Sequence, residues 1–186
     1  VVNGYEDITF KGDTQITAGE FAKMLAVSLE GIMTSFNGGK DQIGLTGWDR
    51  VEWYNSFYSK VAGLMPYSDT TTFPQDYMDR PMRRAEIAYA IAQAVNVGDE
   101  YARYYEKAKA NDVGGYYSDM YAEMCGDTDW SYDYNEWAYT QGKTPAHFVA
   151  AMMMLKDKGI MQGDENFACN GTVGVTRAEA LKLIYN

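Results

Sequence analysis

The chain carries near its end the stretch Val175-Thr176-Arg177-Ala178-Glu179, which runs directly into an apolar helical pattern. A threonine followed three residues later by a glutamate is typical of a capping box, in which each side chain satisfies a backbone N–H group at a helix start. Arg177 then falls at the first helical position, beside the unpaired N–H groups and the positive end of the helix dipole. The stretch therefore predicts a helix start that offers several hydrogen-bond donors to an anion.

Two further copies of this unit lie upstream. In each copy a loop rich in glycine and aspartate holds one phenylalanine and leads into a capped helix. The loop phenylalanines are Phe10, Phe73 and Phe167, and the cap pairs are Thr17 with Glu20, Arg83 with Glu86, and Thr176 with Glu179. Repetition of one unit at this scale indicates a repeat architecture rather than an irregular fold.

The first two copies depart from the third at the arginine and at the cap. Copy one has Ala18 where copy three has its arginine, and copy two has Arg83 in place of the capping threonine but keeps Arg84. A start at Asp79 or Arg80, just ahead of a proline, is an alternative for the second capped helix.

Further helices are predicted between the capped ones. An amphipathic helix precedes the loop in copies two and three, at about residues 48–62 and 146–158. Residues 100–110 alternate charges with tyrosines and predict one more helix, whereas residues 31–47 are rich in glycine and predict a connecting loop.

This pattern resembles the S-layer homology (SLH) family. That family's repeat has a helix that ends near Gly-Ile, a Gly-Tyr-x-Asp-Gly-x-Phe-x-Pro loop and an Ile-Thr-Arg-Ala-Glu helix start. The resemblance covers nearly the whole chain and is strongest over 4–25 and 159–184. It implies a mainly α-helical, SLH-type pseudo-threefold bundle of helix-loop-helix repeats with little or no β structure. The implied units form one compact domain: residues 1–32 as the second half of repeat one, 48–98 as repeat two, and 99–186 as repeat three with an aromatic-rich insertion at about 120–145.

The resemblance also implies a binding site. In the family, an arginine or lysine in the grooves between repeats holds the pyruvate carboxylate of a pyruvylated cell-wall polysaccharide. The residues that match are Arg177, Arg84 and, next to it, Arg83, while the groove at Ala18 is expected to be inactive or repurposed. The alternative for each arginine is an ion pair with a neighbouring carboxylate. The expected supporting helix caps are Thr176, Glu179, Glu86, Thr17 and Glu20.

Tryptophans supply candidates for stacking on sugar rings. These are Trp48, Trp53 and Trp130. The alternative for Trp48 and Trp53 is packing in the core. The alternative for Trp130 and Trp137 is that they pack the insertion against the rest of the protein.

The composition narrows the function classes. With 16 basic and 26 acidic residues and a net charge of -10, the chain lacks the basic stripe that nucleic-acid binding requires. It has no apolar run long enough to span a membrane. Cys125 and Cys169 form a candidate disulfide if the protein is extracellular, and two separate thiols are the alternative.

Catalytic and metal patterns are absent from the sequence. The alternation over 127–133 resembles the start of a calcium loop, but Tyr132 and Ala138 stand where an EF-hand needs glycine and glutamate. A looser calcium site is the alternative. His147 has no partner for catalysis, so we expect it to pack. We therefore expect no enzyme activity, no metal and no cofactor.

These observations favour an extracellular module at the bacterial cell surface or cell wall. Its expected function is non-covalent anchoring to anionic, pyruvylated secondary cell-wall polysaccharide. The alternative is a structural subunit of a surface layer or extracellular filament that reuses the SLH fold and binds copies of itself. A non-catalytic part of a larger wall-associated enzyme is a third interpretation.

Overall fold

The computed structural model describes residues 9–36, 54–67, 75–120 and 143–186. These parts of the chain are mainly α-helical, as predicted, and β structure within them is confined to three isolated bridges. The helices are α1 (Ala18–Phe36), α2 (Asn55–Val61, continued by a 3-10 turn at Ala62–Leu64), α3 (Gln75–Asp79), α4 (Arg84–Val95), α5 (Glu100–Lys109), α6 (Pro145–Asp157) and α7 (Arg177–Tyr185).

The three capped helices α1, α4 and α7 begin at the residue that the cap pairs predict. The alternative start of α4 at Asp79 or Arg80 is wrong, because the separate helix α3 ends at Asp79. Arg83 instead has an extended backbone, and its N–H group donates to the Glu86 carboxylate at 2.8 Å. A cap is a local interaction, which is why the sequence placed these starts correctly.

The other helix bounds follow the predictions in part. Helices α5 and α6 match the segments predicted at 100–110 and 146–158. The predicted loop at 31–47 is wrong in its first part, because α1 continues through a single glycine to Phe36. Residues 37–53, which include most of the first half of the helix predicted at 48–62, lie outside the described residues.

The segments ahead of the three capped helices meet in a closed cycle. Ile16, Met82 and Val175 each lie one residue ahead of a cap, and each is fully buried. The Ile16 N–H group donates to the Val175 carbonyl (2.8 Å), Val175 to Met82 (3.0 Å) and Met82 to Ile16 (2.9 Å). Each copy thus supplies a hydrogen-bond acceptor to a buried backbone N–H group of another copy. A segment buried alone would leave such backbone groups unpaired, which costs free energy.

A second cycle runs in the opposite direction through the first N–H group of each capped helix. These N–H groups have no acceptor within their own helix. Each one donates to a carbonyl that lies three residues ahead of the cap in the next copy. The pairs are Ala18 to Arg80 (3.2 Å), Arg84 to Val173 (3.0 Å) and Arg177 to Thr14 (2.9 Å).

This hydrogen bonding sets the register of the loops and corrects one sequence equivalence. Thr14 in copy one corresponds to Val173 in copy three, so Phe10 corresponds to Cys169 and not to Phe167. Cys169 is buried at 2% exposure, whereas Phe167 is 71% exposed. The equivalence of Phe167 with Phe10 as the loop phenylalanine of the repeat is therefore wrong, because the loop of copy three places its phenylalanine two residues further from the cap.

Helix α6 is buried on all sides because it packs against both α4 and α5. Every residue from Phe148 to Leu155 is fully buried, including the run of three methionines. A helix that is apolar around its whole circumference is typical of such a central position.

His147 packs at the start of α6, as the sequence predicts. Its Nδ1 atom accepts a hydrogen bond from the Thr144 N–H group at 3.0 Å, and its ring lies 4.4 Å from the ring of Tyr105. Burial, and then the charge of Lys143, lower the pKa of this imidazole below its usual 6.5. The folded protein therefore favours the neutral ring, the form that can accept the bond at Nδ1.

We expect the free energy of unfolding to fall as the pH is lowered from about 6.5, because the unfolded chain then binds a proton at His147 before the folded chain does. His147→Gln keeps an acceptor at the third helical position but does not titrate. Urea unfolding at several values of pH between 7 and 5 measures the effect. The wild type should lose more stability across this range than His147→Gln, and equal losses would contradict the role given to the ring.

Candidate ligand-binding site

The glutamate of each capped helix binds back to its own cap residue, as predicted. Each carboxylate accepts the N–H group of the residue three positions earlier. The pairs are Thr17 with Glu20 (3.2 Å), Arg83 with Glu86 (2.8 Å) and Thr176 with Glu179 (2.9 Å). In copies one and three the threonine hydroxyl also accepts the glutamate N–H group, whereas the arginine side chain in copy two has no acceptor to offer. These five predicted cap residues therefore support the helix starts.

Each of these three glutamate carboxylates also forms an ion pair with the guanidinium of an arginine. We call each such meeting of two copies a seam and name it by the copies it joins. The 3/1 seam pairs Arg177 with Glu20, and the 2/3 seam pairs Arg84 with Glu179. At the 1/2 seam both members of the ion pair, Arg80 and Glu86, belong to copy two, and copy one meets them through the Ala18 N–H group, which donates to the Arg80 carbonyl.

The 3/1 seam is closed, and its guanidinium is bound at two of its nitrogens. Arg177 is only 6% exposed. Its Nη1 atom lies 2.6 Å from a Glu20 oxygen, its Nε atom donates to the Phe10 carbonyl at 3.1 Å, and its guanidinium lies 5.3 Å from the centre of the Phe10 ring. Arg177 therefore forms an ion pair with a neighbouring carboxylate, which is the alternative to ligand binding that the sequence leaves open.

The 1/2 seam is closed by a residue that sequence reasoning missed. Ala18 occupies the place of the arginine there, and Arg80 supplies the guanidinium to both oxygens of Glu86, one of them at 3.1 Å. The Arg80 guanidinium also lies 4.7 Å from the centre of the Tyr77 ring. The carboxylate that it neutralises is buried, with a side chain only 1% exposed. Arg80 lies only six residues before Glu86, so the sequence sets the two charges close together but does not show which of Arg80, Arg83 and Arg84 binds the glutamate.

The 2/3 seam is open by comparison. Arg84 donates from Nη2 to Glu179 at 2.9 Å, but the two side chains are 20% and 43% exposed. The Nε atom of Arg84 is buried and has no hydrogen-bond partner. By the register above, the small Cys169 stands where Phe10 closes the 3/1 seam. Among the described residues, no aromatic ring lies over the Arg84 guanidinium, so this seam lacks the ring that covers the guanidinium in the 3/1 seam.

Two further groups respond to the charge of Arg84. The carboxyl pKa of Asp164 is lowered mainly by the Ala168 N–H group and in smaller part by Arg84. Burial raises the pKa of the Tyr117 hydroxyl, and the charge of Arg84 opposes that shift. Burial also acts to raise the pKa of Glu179, but its cap hydrogen bonds and Arg84 outweigh burial and lower it. The charge of Arg84 lowers the pKa of both carboxyl groups, and Glu179, which binds Arg84 at 2.9 Å, is the carboxylate with which an anionic ligand must compete.

The remaining predicted site residues are placed as follows. Arg83 forms the cap of α4 through its backbone. Cys169 is buried, and its predicted disulfide partner lies outside the described residues. Outside them as well are Phe73, Cys125, the acidic alternation at 127–133, and the tryptophans Trp48, Trp53, Trp130 and Trp137.

In the described ranges no cluster of three or more histidine, cysteine, aspartate or glutamate side chains could hold a metal ion. No helix in those ranges has the length and apolar character needed to cross a bilayer.

No known family model matches the chain, and neither the curated proteins nor the solved structures contain a match to it. The functional interpretation therefore depends on the repeated motifs and on the geometry of the three seams.

Proposed function

We propose that this chain is a non-catalytic, extracellular SLH-type module that anchors to anionic secondary cell-wall polysaccharide through the 2/3 seam. The resemblance supplies the ligand class. The two cycles of hydrogen bonds that join the three helix starts are what a pseudo-threefold bundle of SLH repeats would require. The observation that carries the proposal is the exposed pair of Arg84 and Glu179, at 20% and 43%, in which the Arg84 guanidinium is bound at Nη2 alone within the described part of the chain. The buried Nε atom of Arg80 lacks an acceptor as that of Arg84 does, but the other two guanidinium nitrogens of Arg80 bind both oxygens of the buried Glu86.

The comparison of seams selects Arg84 over Arg177. The sequence favoured Arg177 because copy three alone keeps the full motif. In the folded chain, however, Arg177 is nearly buried and binds Glu20, the Phe10 carbonyl and the Phe10 ring. The Arg84 side chain is 20% exposed and, among the described residues, its guanidinium is bound at Nη2 alone, so a ligand oxygen would gain more there than at Arg177, which is 6% exposed and already bound at Nη1 and Nε.

A pyruvate ketal suits this donor. Its carboxylate can accept charge-assisted hydrogen bonds from the planar guanidinium of Arg84, and the start of α4 adds a favourable dipole. Glu179 holds the Nη2 atom and competes for the same guanidinium. A carboxylate ligand is thus bound in exchange for part of an exposed ion pair, which is a weak interaction.

The first test is calorimetric titration of purified pyruvylated wall polysaccharide into wild type and Arg84→Gln. Loss of charge-assisted hydrogen bonds should weaken binding roughly 10- to 100-fold. Glu179→Gln keeps a side chain that can complete the cap but removes the competing charge, so it should bind more tightly than wild type.

Polysaccharide from which mild acid has removed the ketal is the matched ligand control, and Lys109→Gln on the exposed face of α5 is the matched protein control. The control protein should bind as the wild type does, and the treated polysaccharide should bind weakly to every variant. Equal affinity of Arg84→Gln and wild type for the pyruvylated polymer would contradict the assignment.

A structural subunit of a surface layer or extracellular filament is the second candidate function. It is favoured by the two seams that internal arginines close, since a module selected only for glycan binding gains nothing from losing two of its three sites. Light scattering over a wide concentration range discriminates the two. Self-association that Arg84→Gln leaves unchanged favours the subunit, and a persistent monomer that binds polysaccharide favours the anchor.

A further inference from the structure

Phe167 is an unusual residue in this fold. It is 71% exposed, although large apolar side chains in the described parts of the chain are mostly buried. Its backbone has φ of +62°, in the left-handed region that residues with a Cβ atom rarely adopt. A phenylalanine that combines exposure with backbone strain gains no stability from either, and such strain tends to occur at functional sites.

The loop that carries Phe167 is held firmly. The Phe167 N–H group donates to the Asp164 carbonyl at 3.0 Å, and the Phe167 carbonyl accepts a hydrogen bond from the Ser118 N–H group at 2.9 Å. The Asp164 carboxylate also accepts the N–H groups of Asn166 (2.8 Å) and Ala168 (3.0 Å). The aromatic ring is therefore presented to solvent from a fixed backbone rather than from a loose loop.

This loop belongs to the 2/3 seam. The Arg84 N–H group donates to Val173 in the same loop, and the charge of Arg84 acts on Asp164. Tyr117, which precedes the Ser118 that binds Phe167, also responds to that charge. Phe167 lies two residues before Cys169, which the loop register sets in the place that Phe10 occupies beside the Arg177 guanidinium.

We infer that Phe167 is the aromatic residue on which a sugar ring stacks when the 2/3 seam binds its polysaccharide. This inference rests on the proposed function. The flat ring can cover the C–H face of a pyranose while Arg84 binds the carboxylate of the attached ketal. The surrounding loop is polar and acidic, which suits a hydroxyl-rich ligand with one apolar face better than an apolar protein surface.

The test separates a binding role from a structural one. Phe167→Asn removes the ring, and asparagine tolerates the left-handed backbone better than phenylalanine does. It should fold with an unchanged or higher melting temperature and bind pyruvylated polysaccharide roughly five- to tenfold more weakly. Phe167→Trp should retain the affinity, and its fluorescence should change on titration. Val97→Ala is the matched control, because Val97 is 77% exposed beyond the far end of α4.

The outcomes distinguish the two proposals. If Arg84→Gln loses binding while Phe167→Asn keeps the full affinity, the inference about Phe167 is wrong and the proposed function stands. If Phe167→Asn melts at a clearly lower temperature than wild type, the ring has a structural role and the inference is overturned. If wild type itself does not bind the pyruvylated polymer, the proposed function fails and the inference fails with it.

Discussion

Arg80→Ala should lower the free energy of unfolding by about 4 kcal/mol, the largest effect we expect from any single surface-reaching side chain. Arg80 is 25% exposed, but the Glu86 carboxylate that it neutralises is 1% exposed and sits at the start of α4. Removing the guanidinium leaves a buried negative charge whose remaining described hydrogen bond is to the Arg83 N–H group. Urea unfolding monitored by circular dichroism measures the loss.

A second substitution shows whether the seam, rather than Arg80 itself, is responsible. Ala18 stands at the first helical position, where copies two and three carry the arginines of their seams. Arg80→Ala combined with Ala18→Arg should therefore recover a substantial part of the lost stability. Lys109→Ala removes an exposed ion pair and should cost under about 0.5 kcal/mol. If Arg80→Ala costs no more than Lys109→Ala, the closed cycle of seams is not a stabilising feature.

Arg177→Ala and Arg84→Ala should differ sharply, although the two arginines occupy the same position in their copies. Arg177 is 6% exposed and pairs with Glu20, whose side chain is 15% exposed. Its removal should cost about 3 kcal/mol, because Glu20 loses its charge partner in a nearly buried place. Arg84 pairs with Glu179 in a more exposed seam, so its removal should cost under about 1 kcal/mol.

The difference between these two variants is the quantity to measure, by chemical unfolding under the same conditions. Arg177→Ala with Glu20→Gln should be more stable than Arg177→Ala alone, because the unpaired charge is then gone. Equal costs for the two arginines would mean that the 2/3 seam is as closed as the 3/1 seam, and the assignment of a ligand to Arg84 would lose its basis.

Local chemistry explains which parts of the fold the sequence predicted well. The caps at Thr17, Arg83 and Thr176 placed three helix starts because a side chain and an N–H group three residues apart decide them. The alternating pattern at 100–110 likewise gave α5. The far end of α1 was not predicted, because the helix continues through Gly31 to Phe36, where the glycine-rich sequence predicts a loop.

Two of the three ion pairs could not be predicted in the same way because their partners are distant in the sequence. Arg177 and Glu20 are 157 residues apart, and Arg84 and Glu179 are 95 residues apart. No local feature of the sequence shows that Arg177 is nearly buried while Arg84 is partly exposed. The distinction arises from the loop register, which sets Phe10 against one guanidinium and Cys169 in the corresponding place beside the other.

The most direct measurement is an NMR titration that observes the arginine Nε–H groups of the 15N-labelled protein as pyruvylated wall polysaccharide is added. The account predicts that the Nε–H signal of Arg84 shifts strongly on binding, while those of Arg177 and Arg80 stay in place. A shift at Arg177 with none at Arg84, or no shift at any of the three, would contradict it.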